Sequence, residues 1–399
     1  MYNFAQKRGN QSAIHYIIYY MRNFLFLLLS ALGLAATLVS CGGSVGRGSG
    51  APGDTVRMKY AEHITIVRHR GYTEVSLSNP WKAGSVLHRY ILVERKDSAS
   101  ARNLPDGTVV YTPVSRSVVF TSPHCWLLSE LGAARAISGV CDLSYINIPS
   151  VQRAAKSGAV ADCGNSMSPS VERIVSLRPQ AIFVSPFEGA SYGQIDHIGV
   201  PVIECADYME TSALGRAEWM RFYGMLVGRE RTADSLFAAV ERGYRSGMAL
   251  ARKSSVRPKV LTERVASGVW YCPGGRSSMG RLIVDAGGRY AFSSDTHSGS
   301  LTLSPEKVIA DAADADCWLF VYNGPVAPRR SQLLSEYPGY RMIKAFRNGN
   351  VYACGSTTGV PYFEEVSFRP DFLLKDFVKM FHPDLGITAP LRYYKLSQK

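Results

Sequence analysis

The sequence predicts an α/β protein in which two lobes are joined by one long rigid helix and preceded by a β-meander. Three observations support this fold class. Residues 211–253 carry apolar side chains at helical spacing along one continuous stripe. Two similar segments, 168–189 and 303–324, flank that stretch, and each contains an amphipathic helix followed by an apolar strand. Residues 55–113 alternate apolar and polar positions in short runs, which is typical of strands.

These patterns divide the chain into six predicted segments. The division follows changes in composition and periodicity along the chain. The segments are an export signal at 1–40, a flexible tether at 41–54, a β-meander extension at 55–113, an N-terminal α/β lobe at 114–210, a connecting helix at 211–253 and a C-terminal α/β lobe at 254–399.

The start of the chain has the features of an export signal. Lys7, Arg8 and Arg22 precede an apolar run at 24–39, which is too short for a stable transmembrane helix. The run ends in Leu-Val-Ser-Cys, which resembles the bacterial lipoprotein box. That resemblance implies cleavage before Cys41, lipidation of its side chain and a location in the cell envelope at a membrane. The Gly/Ser-rich stretch that follows is a tether without structure of its own.

The net charge limits the classes of partner. Removing the predicted signal takes away three basic and no acidic residues, so the net charge changes from +13 to +10. A basic surface is compatible with nucleic acid, anionic lipid or an anionic ligand. Nucleic acid is disfavoured because the protein is exported and has no basic run longer than two residues. An anionic ligand and simple solvated charge both stay open.

Cysteine spacing favours core residues over a disulfide framework or a metal site. No C-x-x-C pair occurs, and the odd number after Cys41 leaves at least one unpaired in a monomer. The seven cysteines are Cys125, Cys141, Cys163, Cys205, Cys272, Cys317 and Cys354.

The β-meander is predicted to be antiparallel and to lead into an α/β unit. Turn signals at Asn79-Pro80, Lys82 to Ser85 and Pro105-Asp106-Gly107 separate its strands. Residues 116–140 then read as a strand, a Ser-Pro-capped helix and a return strand, which is the opening of a βαβ unit. The predicted meander strands are 63–67, 72–77, 86–93 and 108–111.

The connecting helix is predicted to begin at a cap and to break once. Thr211 or Ser212 is a suitable N-cap, and Gly228 is the expected break because glycine costs about 1 kcal/mol in a helix interior. The part beyond Gly228 would reach nearly 40 Å at about 1.5 Å per residue. A rod of that length can join two lobes.

The two flanking segments match closely enough to imply two similar lobes. Each reads as a Ser-Pro helix start with an early glutamate, Glu172 or Glu306, and then a buried strand at 181–184 or 317–321. An acid in the first turn is favoured by the helix dipole, which is a purely local explanation. A matched pair on either side of a rigid helix also indicates two anchors for one partner.

Several segments together carry a resemblance to a known family. TSPHCWLLSELGAARAISGV (121–140), SVERIVSLRPQAIFV (170–184) and LSPEKVIADAADADCWLFV (303–321) resemble the iron-chelate and cobalamin class of periplasmic binding proteins, the substrate-binding components of ABC importers. The region 214–290 is similar to lipoproteins of this class from Bacteroidetes-type bacteria. The resemblance implies the class III fold, in which two Rossmann-like lobes are joined by a long rigid helix.

The resemblance also implies partners and a function. It implies a lipid-anchored protein, without enzyme activity or a cofactor of its own, that captures a metal chelate in the cleft between the lobes. The chelate would be a ferric siderophore, haem or cobalamin, and it would pass to the ABC permease and its ATPase. Glu172 and Glu306 occupy the positions that dock onto permease arginines in this class. Cobalamin binders of this class have tryptophans in the loops before the two docking helices. These loops contain no tryptophan here, which disfavours cobalamin.

Ligand in this class lies where loops leave the carboxyl ends of the strands. Five loops are placed there by the resemblance, at 122–126, 185–192, 270–278, 295–300 and 355–363. Aromatic side chains among them would stack on a flat ligand, Arg276 would pair with a negative charge, and a histidine would serve as an axial ligand. The alternative for Trp270 and Tyr271 is packing at the domain edge. The candidate ligand-binding residues are His124, Tyr192, Trp270, Tyr271, Arg276, His297, Tyr362 and Phe363.

Two other classes of function stay open at this stage. An exported hydrolase would use acids or histidines of the cleft, although the chain has no G-x-S-x-G, G-x-x-x-x-G-K-[ST] or G-x-G-x-x-G motif. A cell-envelope interaction protein would use the same fold and bind no small ligand. Side chains are not expected to form a metal site, because the histidines are scattered and no H-E-x-x-H motif occurs.

Overall fold

The computed structural model describes residues 53–100, 102–189, 191–324, 326–356 and 359–397. The predicted export signal, Cys41 and all of the tether up to residue 52 lie outside the described residues.

The extension is a five-stranded sheet in which the strands are neighbours in sequence order. Its pairing is antiparallel from the first to the fourth strand, as predicted. The prediction was wrong for the fifth strand, which pairs parallel to the fourth with Tyr90 opposite Thr108. The connection between them, 95–107, has the dozen or so residues that a parallel crossover needs. The strands are β1 (Asp54–Val56), β2 (Ile64–His69), β3 (Tyr72–Ser78), β4 (Val86–Glu94) and β5 (Thr108–Thr112).

The N-terminal lobe is built on a parallel sheet of five strands with the order β12-β11-β6-β7-β8. Every residue of β11 is buried, because a parallel sheet is covered on both faces. The elements are β6 (Ser117–Val119), α1 (Ser122–Glu130), β7 (Ile137–Val140), α2 (Pro149–Lys156), β8 (Ala161–Asp162), β9 (Gly164–Asn165), β10 (Ser168–Pro169), α3 (Val171–Ser176), β11 (Ala181–Val184) and β12 (Val202–Glu204).

The connector consists of three consecutive helices, α4 (Ala213–Glu218), α5 (Met220–Leu226) and α6 (Glu230–Ala251). Ser212 caps the first helix, since its side chain accepts a hydrogen bond from the amide of Gly215. Gly228 forms the predicted break with a φ of 65°. The prediction of a single break was wrong, because the helix is also interrupted at Trp219. The 22 residues of α6 span about 33 Å.

The C-terminal lobe repeats the same plan, with a sheet of order β16-β13-β18-β19-β20. Its strands pair in parallel except for β20, which is antiparallel to β19. A small antiparallel sheet of order β14-β15-β17 lies beside it. The elements are β13 (Lys259–Thr262), β14 (Val265–Ala266), β15 (Val269–Pro273), α7 (Ser278–Asp285), β16 (Arg289–Tyr290), β17 (Ser300–Leu303), α8 (Pro305–Ala312), β18 (Cys317–Tyr322), α9 (Arg330–Glu336), α10 (Lys344–Asn348), β19 (Val351–Gly355), α11 (Tyr362–Glu365), α12 (Pro370–Phe381) and β20 (Lys395–Leu396).

The long helix α6 packs against α12 of the C-terminal lobe through two glycines. A Cβ atom at Gly243 would lie 2.8 Å from a carboxylate oxygen of Asp371, and one at Gly247 would lie 2.8 Å from a methyl carbon of Leu374. The two helix backbones therefore approach more closely than any side chain would allow. This contact fixes the connector to the C-terminal lobe.

Two buried carboxylates fix the extension to the connector. Glu218 is fully buried and accepts hydrogen bonds from the three amides of residues 59–61 at 2.7–3.0 Å. Glu210, 1% exposed, accepts from both amides of residues 62–63 and from the indole of Trp219. We call residues 57–63, together with Glu210 and Glu218, the junction. It gives the extension a structural role that the sequence pattern did not indicate.

The described cysteines are core residues, as predicted. All seven, Cys125, Cys141, Cys163, Cys205, Cys272, Cys317 and Cys354, are buried and unpaired.

Candidate ligand-binding cleft

A cavity of about 930 Å³ lies between the two lobes. On the N-terminal side it is lined by the loops that follow β6 and β7. On the C-terminal side it is lined by residues that follow β13, β18 and β19, together with α11. These are the carboxyl ends of strands in two parallel sheets, where α/β proteins place their ligands. A cavity of this volume is large enough for a drug-sized ligand.

The N-terminal wall is held by a buried polar network around Asp207. This carboxylate is fully buried, accepts a hydrogen bond from the hydroxyl of Tyr223 at 2.8 Å and lies 2.9 Å from Nε2 of His124. Its other oxygen accepts from Nε of Arg216 at 3.1 Å. Burial alone would raise the pKa of Asp207, but the charge and hydrogen bond of His124, with the charge of Arg216, lower that pKa overall. Arg216 lines the cavity with its charge already paired.

Glu263 lines the opposite wall at the end of β13. Its φ of 62° is unusual for a residue with a side chain and is held from both sides. Its amide donates to the carbonyl of Leu319 at 2.8 Å, and its carbonyl accepts from the indole of Trp318 at 2.7 Å. Burial raises the pKa of the Glu263 carboxyl to about 7, although the amide of Val321 and the charge of Arg264 oppose this.

The two lobes meet directly at one end of the cavity. The amide of Asn147 donates to Oε1 of Glu364 at 3.0 Å, and its side-chain amide donates to the carbonyl of Ser356 at 3.0 Å. Nearby, the rings of His124 and Phe368 pack edge to face with centroids 5.6 Å apart. These contacts join the N-terminal loop after β7 to α11 and so bound the cavity on that side.

Aromatic rings from both lobes flank the opening of the cavity. Tyr145 of the N-terminal lobe is 67% exposed and Phe363 of the C-terminal lobe is 51% exposed, and both line the cavity. Exposed rings on facing walls are suited to contact a ligand, since large apolar side chains gain most from being covered.

Comparison with known proteins agrees with this geometry. The model of the periplasmic binding protein family matches residues 119–358. The chain belongs to this family. The resemblance found in the sequence is therefore confirmed at the level of the family, and the class III arrangement of two lobes on a helical connector is its fold.

Individual relatives are distant. An uncharacterized lipoprotein from Methanocaldococcus jannaschii is 26% identical over 356 residues, which covers 82% of this chain and 82% of the relative. A periplasmic heme-binding protein from Pseudomonas aeruginosa has a TM-score of 0.53 at 18% identity and covers 72% of this chain and 100% of its own. An ABC-type Fe3+-hydroxamate transport protein from Saccharomonospora viridis has a TM-score of 0.52 at 16% identity and covers 67% and 93%. The structural likenesses show the shared fold.

This periplasmic binding protein brings two of the eight predicted ligand-binding residues to the cavity wall. They are Tyr362, which is largely buried, and Phe363 at the opening. Their contact with a ligand stays a prediction. Among the described residues, no group of three or more His, Cys, Asp or Glu side chains is placed to hold a metal ion.

Trp270 and His124 do not face the cavity, so the predictions for both were wrong. Trp270 is fully buried, its indole donates to the carbonyl of Thr262 at 3.0 Å, and its ring packs on Tyr340 at 5.5 Å. Alternation along β15 turns Trp270 inward and its neighbour Tyr271 outward. His124 is 3% exposed, and both of its ring nitrogens already have partners.

The other four candidates lie away from the cavity. Tyr192 donates its hydroxyl to Glu204 at 3.0 Å, and His297 lies in an exposed loop with its ring 3.0 Å from Asp295. The exposed side chains of Tyr271 and Arg276 are absent from the cavity lining. Of the five loops that the resemblance placed at the cleft, 185–189, 191–192 and 295–300 do not reach the cavity among the described residues.

The sequence interpretation missed Asp142, Asn147, Arg216 and Glu263. Asp142 and Asn147 follow β7, which the sequence pattern had identified as a return strand. Ligands of α/β proteins bind at the carboxyl ends of such strands, so the sequence did contain a signal for both residues. Glu263 also carries a signal, because a charged residue directly follows the buried strand β13. Arg216 carries no such signal, since it lies on a connector helix.

The two predicted docking glutamates occupy equivalent places. Glu172 is the second residue of α3 and Glu306 is the second residue of α8, and both side chains are exposed. Ser304 caps α8 as predicted. The predicted start of α3 at Ser168-Pro169 was wrong, because these residues pair as β10 with β9 and Ser170 is the cap. No helix in the described part of the chain combines the length and hydropathy needed to span a bilayer.

Proposed function

We propose that this protein is the substrate-binding component of an ABC importer and that it captures a metal chelate between its lobes. The observation that carries the proposal is the cavity of about 930 Å³ at the carboxyl ends of both parallel sheets. Relatives of the same fold are named for heme and for Fe3+-hydroxamate transport, which supports a chelate of one of these kinds. Ferric siderophores and haem fit the proposal, and cobalamin is the less favoured cargo.

Transport requires the protein to be held at the membrane and to meet a permease. Two lipoproteins among its relatives support lipidation at Cys41, which lies outside the described residues. Handover would use Glu172 and Glu306, whose exposed carboxylates can each accept a bidentate arginine contact. Converting Cys41 to Ala should release the protein from the membrane fraction if lipid is its anchor.

Native mass spectrometry and visible absorption of the protein purified from its own host test the cargo. We expect a co-purifying mass and a metal-dependent absorption band. A colourless protein that also fails to bind ferric siderophores and haem in titration would contradict the proposal.

Reversing both docking charges, Glu172→Lys with Glu306→Lys, should abolish uptake and leave ligand affinity unchanged. The reason is that the two acids are exposed at the ends of short helices and lie outside the cavity lining. Uptake assays and titration calorimetry measure the two effects separately. The pair Glu94→Lys with Glu130→Lys is a matched control, since both acids are exposed and also lie outside the cavity lining. A loss of affinity in the docking variant would assign these acids to the pocket or the fold.

The exported hydrolase alternative has one structural candidate, the chain of contacts from Thr121 through His124 to Asp207. We assign it a structural role. His124 is 3% exposed and is enclosed by Asp207 of its own lobe, by the hydroxyl of Tyr223 on the connector at 3.1 Å and by the ring of Phe368. The network orients Thr121 and Arg216 at the cavity wall.

A further inference from the structure

We propose that the cleft selects a metal chelate that is neutral or positively charged, and that Glu263 binds a cationic group on that ligand. This inference rests on the proposed function and names the charge class of the cargo. It contrasts with the basic net charge of the whole chain, which taken alone favours an anionic ligand.

The charged side chains on the cavity wall are few and do not add up to a positive charge. Among the described lining residues, Asp142, Arg216 and Glu263 are the side chains with carboxyl or guanidinium groups. Arg216 is paired with Asp207, so it adds little net positive charge. Asp142 accepts hydrogen bonds from two neutral groups, the side-chain amide of Asn165 at 3.1 Å and the amide of Ser166 at 3.3 Å. The described wall is therefore neutral to negative.

Glu263 is positioned so that its carboxylate is accessible from the cavity. An ionised carboxylate has about four acceptor positions. The backbone amide of Val321 acts on one of these positions and lowers the pKa of the Glu263 carboxyl. Since the side chain lines the cavity and is partly exposed, its remaining acceptor positions are available to a ligand. Hydrogen bonds to its backbone amide and carbonyl hold the strained φ of Glu263, so the position of its backbone is fixed without any ligand.

The groups that face Glu263 leave it without a strong cationic partner. Arg264 is the adjacent basic residue, but its guanidinium donates to Glu336 at 2.5 Å. The other titratable neighbours are thiols and phenols whose pKa values are raised by burial, so they are uncharged near neutral pH. These neighbours are Cys272 of β15, Tyr290 of β16, Cys354 of β19, Tyr362 of α11 and Tyr394 before β20.

The sign of the ligand's charge then determines how tightly it binds in the cleft. A cationic group close to Glu263 gains a charge-assisted hydrogen bond in a site that is shielded from water. An anionic chelate would meet Asp142 and Glu263 without a free positive charge on the described wall to offset them. Binding of the cation also favours ionised Glu263, so affinity for a cationic ligand should rise as the pH rises through about 7.

Titration of the full chain with four probes tests this. The probes are the ferric complex of a linear trihydroxamate with a pendant ammonium group, its neutral N-acetylated analogue, a trianionic ferric tris-catecholate and haem. We expect the ammonium chelate to bind about tenfold more tightly than the acetylated one, the scale of one charge-assisted hydrogen bond. That ratio should fall to about one in Glu263→Gln and stay unchanged in the control Glu94→Gln, whose side chain is exposed and outside the cavity.

A pH series sharpens the same experiment. The ammonium group has a pKa of about 10.4, so between about pH 6 and pH 8 its charge is constant and Glu263 is the group that titrates. Affinity should rise across this range in the native protein and stay flat in Glu263→Gln.

The outcomes separate this inference from the proposed function. Equal binding of the two trihydroxamates, or tightest binding of the catecholate or of haem, would overturn the charge preference and leave a chelate-binding protein. A preference for the ammonium chelate that persists in Glu263→Gln would overturn the role of Glu263. Failure of all four probes to bind would overturn both the inference and the proposed function.

Discussion

The junction and the cleft each contain a glutamate whose carboxylate is held inside the protein, fully buried at the junction and partly exposed in the cleft. Glu218 at the junction receives three backbone amides and has no exposed surface. Glu263 in the cleft is partly exposed, lines a cavity and lies on a strained backbone. A carboxylate whose acceptor positions are filled holds structure together, whereas one with open positions beside a cavity is available to a ligand.

The junction also attaches the extension to the long helix of the connector. The junction is supported by two further contacts to the long helix, where Glu241 accepts from the hydroxyl of Tyr60 at 2.6 Å and pairs with Lys59. Together with the packing of α6 on α12, these contacts hold the connector from two sides. For the proposed ligand capture, we therefore expect the loops at the cleft to move while the connector stays fixed.

Truncating a core aromatic should have the largest effect on stability. Trp270→Ala should lower the free energy of unfolding by about 3–5 kcal/mol, because it removes a fully buried ring. Its ligand affinity should be unchanged. Phe363→Ala is the matched change at the cleft, and it should weaken ligand binding with little loss of stability, since its ring is half exposed. Urea unfolding and titration calorimetry separate the two, and the reverse pattern would place Trp270 in the site.

Removing the junction carboxylate should have the next largest effect. Glu218→Ala should cost about 3 kcal/mol of unfolding free energy, because it leaves three part-buried amides of residues 59–61 without acceptors. Denaturant unfolding measures the loss. Hydrogen exchange should show faster exchange confined to the junction. A change below about 1 kcal/mol would mean that the amides find other partners.

Neutralising the Glu263 carboxylate should change how the free energy of unfolding depends on pH. Folding raises the pKa of Glu263 from about 4.5 to about 7, so between these values the folded state binds more protons than the unfolded state. Stability contributed by Glu263 therefore falls as the pH rises through this window. Glu263→Gln should match the native protein near pH 4.5 and be more stable by about 3 kcal/mol above pH 7. Parallel pH profiles of urea unfolding for the two proteins would contradict this.

The smallest effect is expected at the exposed edge of the extension. Arg68 donates to Glu230 at 2.7 Å, and both side chains are about half exposed. Arg68→Ala should cost less than about 1 kcal/mol, because water competes with a surface ion pair. Unfolding at low and high salt measures it, and a loss as large as that of Glu218→Ala would show that the extension depends on surface charge.

Local patterns predicted much of the fold. The apolar run 181–184 is a buried strand, Ser212 caps the connector and Gly228 breaks it, because these features depend on neighbours along the chain. The parallel pairing of β5 and the cap at Ser170 were not predicted, since both depend on pairing between segments. Such pairing leaves no mark in the periodicity of either segment.

The site was harder to predict than the fold. Residue type and loop position suggested Trp270, but its ring packs on Trp318 and Tyr340, and this packing between distant segments decides which face of β15 is buried. Tyr362 and Phe363 were identified because the family resemblance placed the loop 355–363 at the cleft, and both line the cavity. Arg216 reaches the cavity from the connector, and its orientation depends on the buried partner Asp207, a pair that no sequence motif marks.

Hydrogen–deuterium exchange of the full chain, with and without saturating ammonium-bearing ferric trihydroxamate, tests the central claim most directly. The account predicts slower exchange in the loop 142–147 of the N-terminal lobe and in 362–367 of the C-terminal lobe at the same time. It predicts no change at the junction. Protection of one lobe alone, protection centred on residues 57–63, or no protection anywhere would contradict capture between the lobes.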